Sequence, residues 1–251
     1  MARTKPYLSI IIPTFNEERR IPATLLQLDK HLSAVPYTYE IIVVNDCSTD
    51  RTGEIIRGFA SLIKNLYVID HTKRHGKGAA VKKGILAARG RYRLFTDADH
   101  PVSIAHFTND FYPLLREEKK HIIVGTWDPE EQTALSLVER FTKWIARMGI
   151  KLFALPEIKN TQAGFKCFSE EAAQAVFPLQ RVNSWGFDAE ILLLAERRGY
   201  EICEIPVICR NHAFSHVGKW DMVHVAIDAI KTRFHLKKNR YELDKIWDIR
   251  L

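Results

Sequence analysis

Residues 92–99 read Tyr92-Arg93-Leu94-Phe95-Thr96-Asp97-Ala98-Asp99, an apolar and aromatic run that stops at two aspartates one residue apart. Tyr, Phe and Thr suit an extended buried chain, so the run predicts a strand. The i, i+2 spacing of Asp97 and Asp99 then puts both carboxylates on one side of the exit from that strand. Together they can share one hard cation, Mg²⁺ or Mn²⁺, or one nucleotide. Standing alone, such a triplet is equally the composition of a solvated turn. Its surroundings decide between the two.

Further runs of strand character occupy 7–12, 40–45, 66–70 and 121–125, the first three rich in Ile, Val, Leu or aromatics. Between them the apolar spacing turns helical. Ile21, Leu25, Leu28 and Leu32 form one stripe, and Ile55, Ile56, Phe59, Leu62 and Ile63 another, with Asp50 placed as an N-cap. Alternating strand and helix predict an α/β domain, a central mostly parallel sheet with helices on both faces, because parallel neighbours need crossover connections. Ligands of such sheets sit at the carboxyl ends of the strands. Those ends are polar here: Pro13-Thr14-Phe15-Asn16-Glu17 after the first, Asn45-Asp46-Cys47-Ser48 after the second, 71–78 after the third, and Asp97-Ala98-Asp99 after the fourth.

Each stretch has a chemical reading. A nucleoside diphosphate-sugar brings two phosphates, and breaking its sugar–phosphate bond adds charge to the leaving group; a divalent cation on Asp97 and Asp99 stabilises that charge. Asp46 either accepts the N–H groups of a base or caps the following helix. In Arg74-His75-Gly76-Lys77-Gly78 the glycines permit a tight turn into a helix whose amino end favours an anion, with Lys77 adding a point charge. Walker spacing is absent.

The 251 residues carry 37 Lys and Arg against 30 Asp and Glu, a formal charge of +7 that favours anionic partners without choosing among nucleotides, nucleic acid and acidic lipid. Four cysteines in no C-x-x-C pair read as reduced structural thiols, which suits the cytoplasm. The amino-terminal apolar run is broken at Pro13, too short for a signal or spanning segment, and no later stretch is long enough to cross a bilayer, so membrane contact is expected to be peripheral.

The segments IIPTFNEERRI (11–21), VVNDCSTDRTGEII (43–56), RHGKGAAVKKGILAARGRY (74–92), FTDADHP (95–101), NTQAGFKCFS (160–169), SWGFDAEILLLAERRGY (184–200) and EIPVICR (204–210) resemble, in that order, glycosyltransferase family 2. They look most like its dolichyl- or polyprenyl-phosphate hexose synthases, the glucosyl branch above all. The resemblance implies a GT-A fold over 1–221 and an inverting transfer of a hexose, glucose before mannose. The donor would be a UDP-sugar, or next a GDP-sugar, with Mg²⁺ or Mn²⁺, and the acceptor a polyprenyl or dolichyl phosphate; nucleic acid is not an expected partner. By position, Pro13, Thr14, Asn16 and Glu17 would line the nucleoside pocket and Asp46 would meet the base. Asp97 and Asp99 would hold nucleotide and metal, Gln162 and Gly164-Phe165-Lys166 would lie on the acceptor side, and Trp185, Phe187, Asp188 and Glu190 would flank the sugar.

Two positions depart from the family pattern: Asn45 precedes Asp46 where a second aspartate is usual, and Asn160 stands where these synthases carry an aspartate. An amide is no general base. A hydroxyl acceptor needs one, whereas a phosphate monoester, with a second pKa of about 6, is largely dianionic at neutral pH. Asn160 therefore favours a phosphate acceptor unless Asp188 or Glu190 serves as base. The alternatives are a soluble family 2 enzyme acting on a hydroxyl, and a nucleotide-sugar-binding regulator with weak catalysis.

Arg140, Lys143, Arg147 and Lys151 recur at helical spacing beside Leu137, Phe141, Trp144 and Met148, either a basic face for an anionic membrane and lipid phosphate or an ordinary packed helix. Arg210, His212, Ser215, His216 and Lys219 make a cationic loop suited to a phosphate. Residues 222–251 read as a basic helical tail. The expected location is the cytosolic membrane face.

Overall fold

The computed structural model describes residues 5–99, 102–116, 121–126, 164–209, 219–238 and 240–241. Within them the chain runs β1 (Leu8–Thr14), α1 (Ile21–Leu32), β2 (Tyr39–Asn45), α2 (Thr52–Leu62), β3 (Leu66–Asp70), α3 (Lys77–Ala87) and β4 (Tyr92–Thr96). A π-helical turn at Phe107–Phe111 leads into α4 (Tyr112–Arg116), then β5 (Ile122–Thr126), β6 (Phe165–Ser169), α5 (Glu170–Val176), α6 (Phe187–Arg197), β7 (Ile202–Pro206) and α7 (Lys219–Lys237).

Seven strands form one sheet in the order β3-β2-β1-β4-β6-β5-β7, in which every pairing is parallel except those of β6 with β4 and β5. The five strands expected from residue 7 to residue 126 all form, within two residues at each end. β6 was not expected: its sequence FKCFS puts Lys166 between Phe165 and Cys167 in a run of only five residues. The antiparallel course of β6 has a positional consequence. It enters the sheet at the edge where the six parallel strands leave, so Phe165 lies opposite Thr96 and residue 164 lands beside the aspartates.

Alternation along β1 splits the core in two. Leu8, Ile10 and Ile12 face α1, α2 and the Phe107–Phe111 turn, while Ile11 faces α3, α5, α6 and α7. Ile10, Ile11 and Ile12 are fully buried, each contributing roughly 1.5–3 kcal/mol relative to exposure. α1 follows its predicted stripe, with Ile21, Leu25, Leu28 and Leu32 buried and a proline in its first turn, where no amide partner is lost. At α2 the cap position is Arg51, and Asp50 accepts from the Thr52 N–H at 3.0 Å.

The described part of the carboxyl-terminal segment is helical and packs on the domain. α7 begins at Lys219, ahead of the boundary expected at 222, and Val225, Ala229, Leu236 and the following Tyr241 belong to the core layer that holds α6.

Candidate functional site

At the carboxyl edge the loops after β1 and β2 are buttoned together. Asn16, at a φ of 55°, accepts from the Thr49 N–H at 2.8 Å, and its own N–H donates to Ser48 Oγ at 3.0 Å. The Glu17 N–H donates to Thr52 Oγ1 at 2.7 Å. Pro13 and Thr14, expected to line a nucleoside pocket, are instead buried within β1, where the Thr14 hydroxyl donates to the Val44 carbonyl at 3.1 Å. They brace the edge from inside.

Asp46 also takes a part not foreseen. Its Oδ1 accepts from the His75 N–H at 2.9 Å and lies 2.7 Å from His71 Nδ1, while Oδ2 accepts from the Gly76 N–H at 2.7 Å. The carboxylate thus shapes the loop from β3 into α3. Its neighbour holds the turn that follows β2, since Asn45 Oδ1 accepts from the Ser48 N–H at 3.2 Å. The Asn45 amide also donates to Asp70 at 2.7 Å. An aspartate at 45 would set two like charges together there, which gives this departure from the family pattern a physical reason.

The amino end of α3 does not present its amides to an anion. The N–H groups of Gly78 and Ala79 donate to the Asn183 carbonyl at 2.8 and 3.4 Å. Gly76 makes that contact possible: its φ is +104°, and a Cβ there would lie 2.4 Å from the same carbonyl oxygen. What α3 does supply is Lys77, whose Nζ sits 2.5 Å from Asp97 Oδ1 and 4.6 Å from the Trp185 ring centroid. Burial works against the Lys77 ammonium, but Asp97, with Asp188 and Asp99, outweighs it and holds its pKa above the ordinary lysine value.

Asp99 is served by a different cation. Arg20 Nη1 lies 3.7 Å from Asp99 Oδ2, and Arg20 is itself forked onto Glu17 at 2.6 and 2.8 Å. Thr24 of α1 fixes the turn between the aspartates by donating to the Ala98 carbonyl at 2.6 Å. Arg20 and Thr24 escaped the sequence reading; the signal for Arg20 was its i+3 spacing from Glu17. Gly164 closes the other side, where a Cβ would stand 2.0 Å from Asp97 Oδ2, so only glycine lets the backbone ahead of β6 approach this carboxylate. Cys209 is close enough that burial, Asp99 and Asp97 together push its thiol up to about 11, leaving it inert as a nucleophile.

Beneath Lys77 and Asp97 lies a second ion pair, Lys166 Nζ to Asp188 Oδ1 at 2.5 Å, both side chains buried. Burial pushes the Asp188 carboxyl up and the Lys166 ammonium down, and each group offsets part of the other's cost. Neither is open to a sugar or an acceptor. Three further residues that the resemblance places near sugar or acceptor are likewise buried. Phe165 is a fully buried core residue against Phe111, and Phe187 packs on Phe95, its ring 5.6 Å away. Glu190 is fully buried and accepts from the Arg181 and Val182 N–H groups at 3.0 and 2.8 Å and from the Tyr241 hydroxyl at 2.6 Å. It is a clip joining α6 to the end of α7. Asn160, Gln162, Arg140, Arg147 and Arg210 lie outside the described residues, as do Lys143, Lys151, His212, Ser215 and His216.

The side chains of Asp97 and Asp99 keep 26% and 24% of their surface exposed. Among the described residues no three His, Cys, Asp or Glu side chains are grouped to hold a metal by themselves. Two hard carboxylates at an open edge fit a cation such as Mg²⁺, which is commonly bound through one or two carboxylates plus substrate phosphates.

A mostly parallel sheet with these loops and an aspartate pair at its carboxyl edge defines a GT-A glycosyltransferase domain. The chain superposes on glucosyl-3-phosphoglycerate synthase of Mycobacterium tuberculosis, solved in complex with Mn²⁺, UDP-glucose and phosphoglyceric acid, with a TM-score of 0.69 at 20% identity over 93% of this chain and 81% of that one. Residues 9–176 match the family model of glycosyl transferase family 2, and the chain belongs to that family. It is 34% identical to a dolichyl-phosphate beta-glucosyltransferase of Trichomonas vaginalis over 97% of this chain and 76% of that protein. It is 31% identical to the dolichyl-phosphate beta-glucosyltransferase of Dictyostelium discoideum over 97% and 77%.

Proposed function

We propose that this protein transfers glucose from UDP-glucose to a dolichyl or polyprenyl phosphate, with inversion, using Mg²⁺ or Mn²⁺ and working as a peripheral protein at the cytosolic membrane face. The relatives' names support the sugar and the acceptor, and the UDP-glucose and Mn²⁺ in the structural neighbour support donor and cation. No described helix is long and apolar enough to cross a membrane, which accords with a peripheral attachment.

The observation that carries the acceptor is the state of the two carboxylates that a hydroxyl acceptor would need. Asp188 is locked on Lys166 and Glu190 is closed in by three donors, so neither is available as a general base. A phosphate oxygen needs none. It attacks the anomeric carbon as the bond from that carbon to the donor's β-phosphate oxygen breaks, and the electron pair leaves with the diphosphate. Asp97 and Asp99 would hold the cation, which stabilises the charge on the departing diphosphate. Lys77, beside Asp97, would bring a second positive charge to the same oxygens. Arg20 and Thr24 keep Asp99 and the Ala98 turn in place.

Radiolabelled UDP-glucose incubated with the protein, Mn²⁺ and a polyprenyl phosphate tests the reading. Acid-labile label in the lipid phase is the expected result, and label confined to water-soluble product refutes it.

A further inference from the structure

The outer face of α7 carries an apolar stripe that no described residue covers. Ile227, Ile230 and Phe234 retain 40%, 45% and 52% of their surface, and their steps of three and four set them on one side of the helix. Val225, Ala229, Thr232 and Leu236 occupy the opposite side and are buried, three of them within the core layer that holds α6. The exposed stripe is therefore not a consequence of how α7 packs. A helix with one face in the core would ordinarily be polar on the other.

The stripe is bordered by cations. Lys231 and Lys238 fall on the same side by spacing, both exposed, and Lys238 Nζ stands 4.3 Å over the Phe234 ring. Arg240, just past the helix, is exposed as well. Aliphatic and aromatic groups flanked by lysine heads match the boundary of an anionic bilayer, where the apolar groups enter the acyl edge and the ammonium groups meet lipid phosphates. A second copy of the chain fits less well, because a two-fold contact across this stripe would set lysines against lysines.

We infer that the Ile227, Ile230 and Phe234 face of α7, with Lys231, Lys238 and Arg240, is the surface by which this protein docks on an anionic membrane. This deepens the peripheral attachment proposed above and rests on it. Since Tyr241 clips the end of α7 to Glu190, and Glu190 holds the loop at residues 181–182 that leads to Asn183 and Trp185, the docked helix is rigidly joined to the catalytic edge.

The test is co-sedimentation with phosphatidylcholine vesicles with and without phosphatidylserine, in the absence of any acceptor. It compares the parent chain, the apolar variant Ile227→Ser/Ile230→Ser/Phe234→Ser, and the charge variant Lys231→Gln/Lys238→Gln. The parent should pellet with the anionic vesicles, the charge variant should bind about thirtyfold more weakly, and the apolar variant should lose binding at least as far. Turnover of a short-chain, water-soluble prenyl phosphate should stay at the parent level in both, which certifies that they fold. Parent-like sedimentation of the apolar variant overturns the assignment of this face while leaving peripheral attachment standing. Failure of the parent to bind anionic vesicles overturns both. A parent that is dimeric by light scattering, with an apolar variant that is monomeric, gives the face to a second copy and overturns the membrane assignment.

Discussion

Replacing Lys166 with methionine probes the charge arrangement under the site most directly. The substitution keeps length and apolar bulk but leaves the Asp188 carboxylate buried with its principal partner gone. Breaking such a pair from one side costs about 3–5 kcal/mol. The carboxyl can escape by taking a proton, and that sets an upper limit. Between an ordinary carboxyl pKa near 4 and the ambient pH the cost rises by about 1.4 kcal/mol per pH unit, so it is roughly 4 kcal/mol at pH 7 and roughly 1.5 at pH 5. The sign follows from the direction of the shift. A carboxyl raised in the folded state binds more protons there than in the unfolded chain, so its contribution is present at low pH and lost as pH rises through the raised value. Lys166→Met should therefore melt about 8–16 °C below the parent at pH 7, with the gap narrowing to about a third near pH 5. The double variant Lys166→Met/Asp188→Leu should regain most of the loss, because an apolar pair can replace a buried ion pair at little cost. Differential scanning calorimetry of parent, single and double variants at both pH values reads all of this. A gap independent of pH, or a double variant no more stable than the single, would refute the reasoning.

Asp99→Asn should lower metal-dependent turnover by about 10²–10³-fold or more, while chelation of the parent should abolish turnover and Mn²⁺ restore it; an active variant would remove Asp99 from the metal site. Gly164→Ala should displace Asp97, because the added methyl would stand 2.0 Å from its Oδ2. A fall in kcat of about 10²-fold with little change in melting temperature is expected, and parent-like kcat would show that the carboxylate can yield without consequence. Tyr241→Phe leaves one fewer donor on buried Glu190 and should cost about 1–3 kcal/mol in urea unfolding, with kcat on a water-soluble acceptor unchanged. A drop in kcat without a loss of stability would return Glu190 to the sugar side.

The parallel strands β1 to β5 were legible because they carry mostly apolar runs separated by helical stripes, and both periods are local. β6 was not legible because its lysine, Lys166, is paired with Asp188, a partner 22 residues away. At the site, the loops were placed at the strand ends where they lie, but the depth of each side chain was not legible. A motif contains scaffold as well as contact residues, and Pro13, Thr14, Phe187 and Glu190 are buried. Asp46 was read as a base or cap residue because both options are close in sequence, whereas its partners are backbone amides 29 and 30 residues on. Lys77 beside Asp97 was foreseeable only as two cationic and anionic groups at one edge; that they meet depends on the Asn183 carbonyl seating α3.

The reversed course of β6 bears on how such enzymes diversify. β5 leaves the sheet at Thr126 and β6 re-enters it after Gly164, on adjacent hydrogen-bonded strands at the same rim. The chain thus leaves and returns through neighbouring ladder bonds, at the rim that carries Asp97 and Asp99. A change of length between them leaves the pairing of β1 to β4 in register, because no rung of those ladders runs through it.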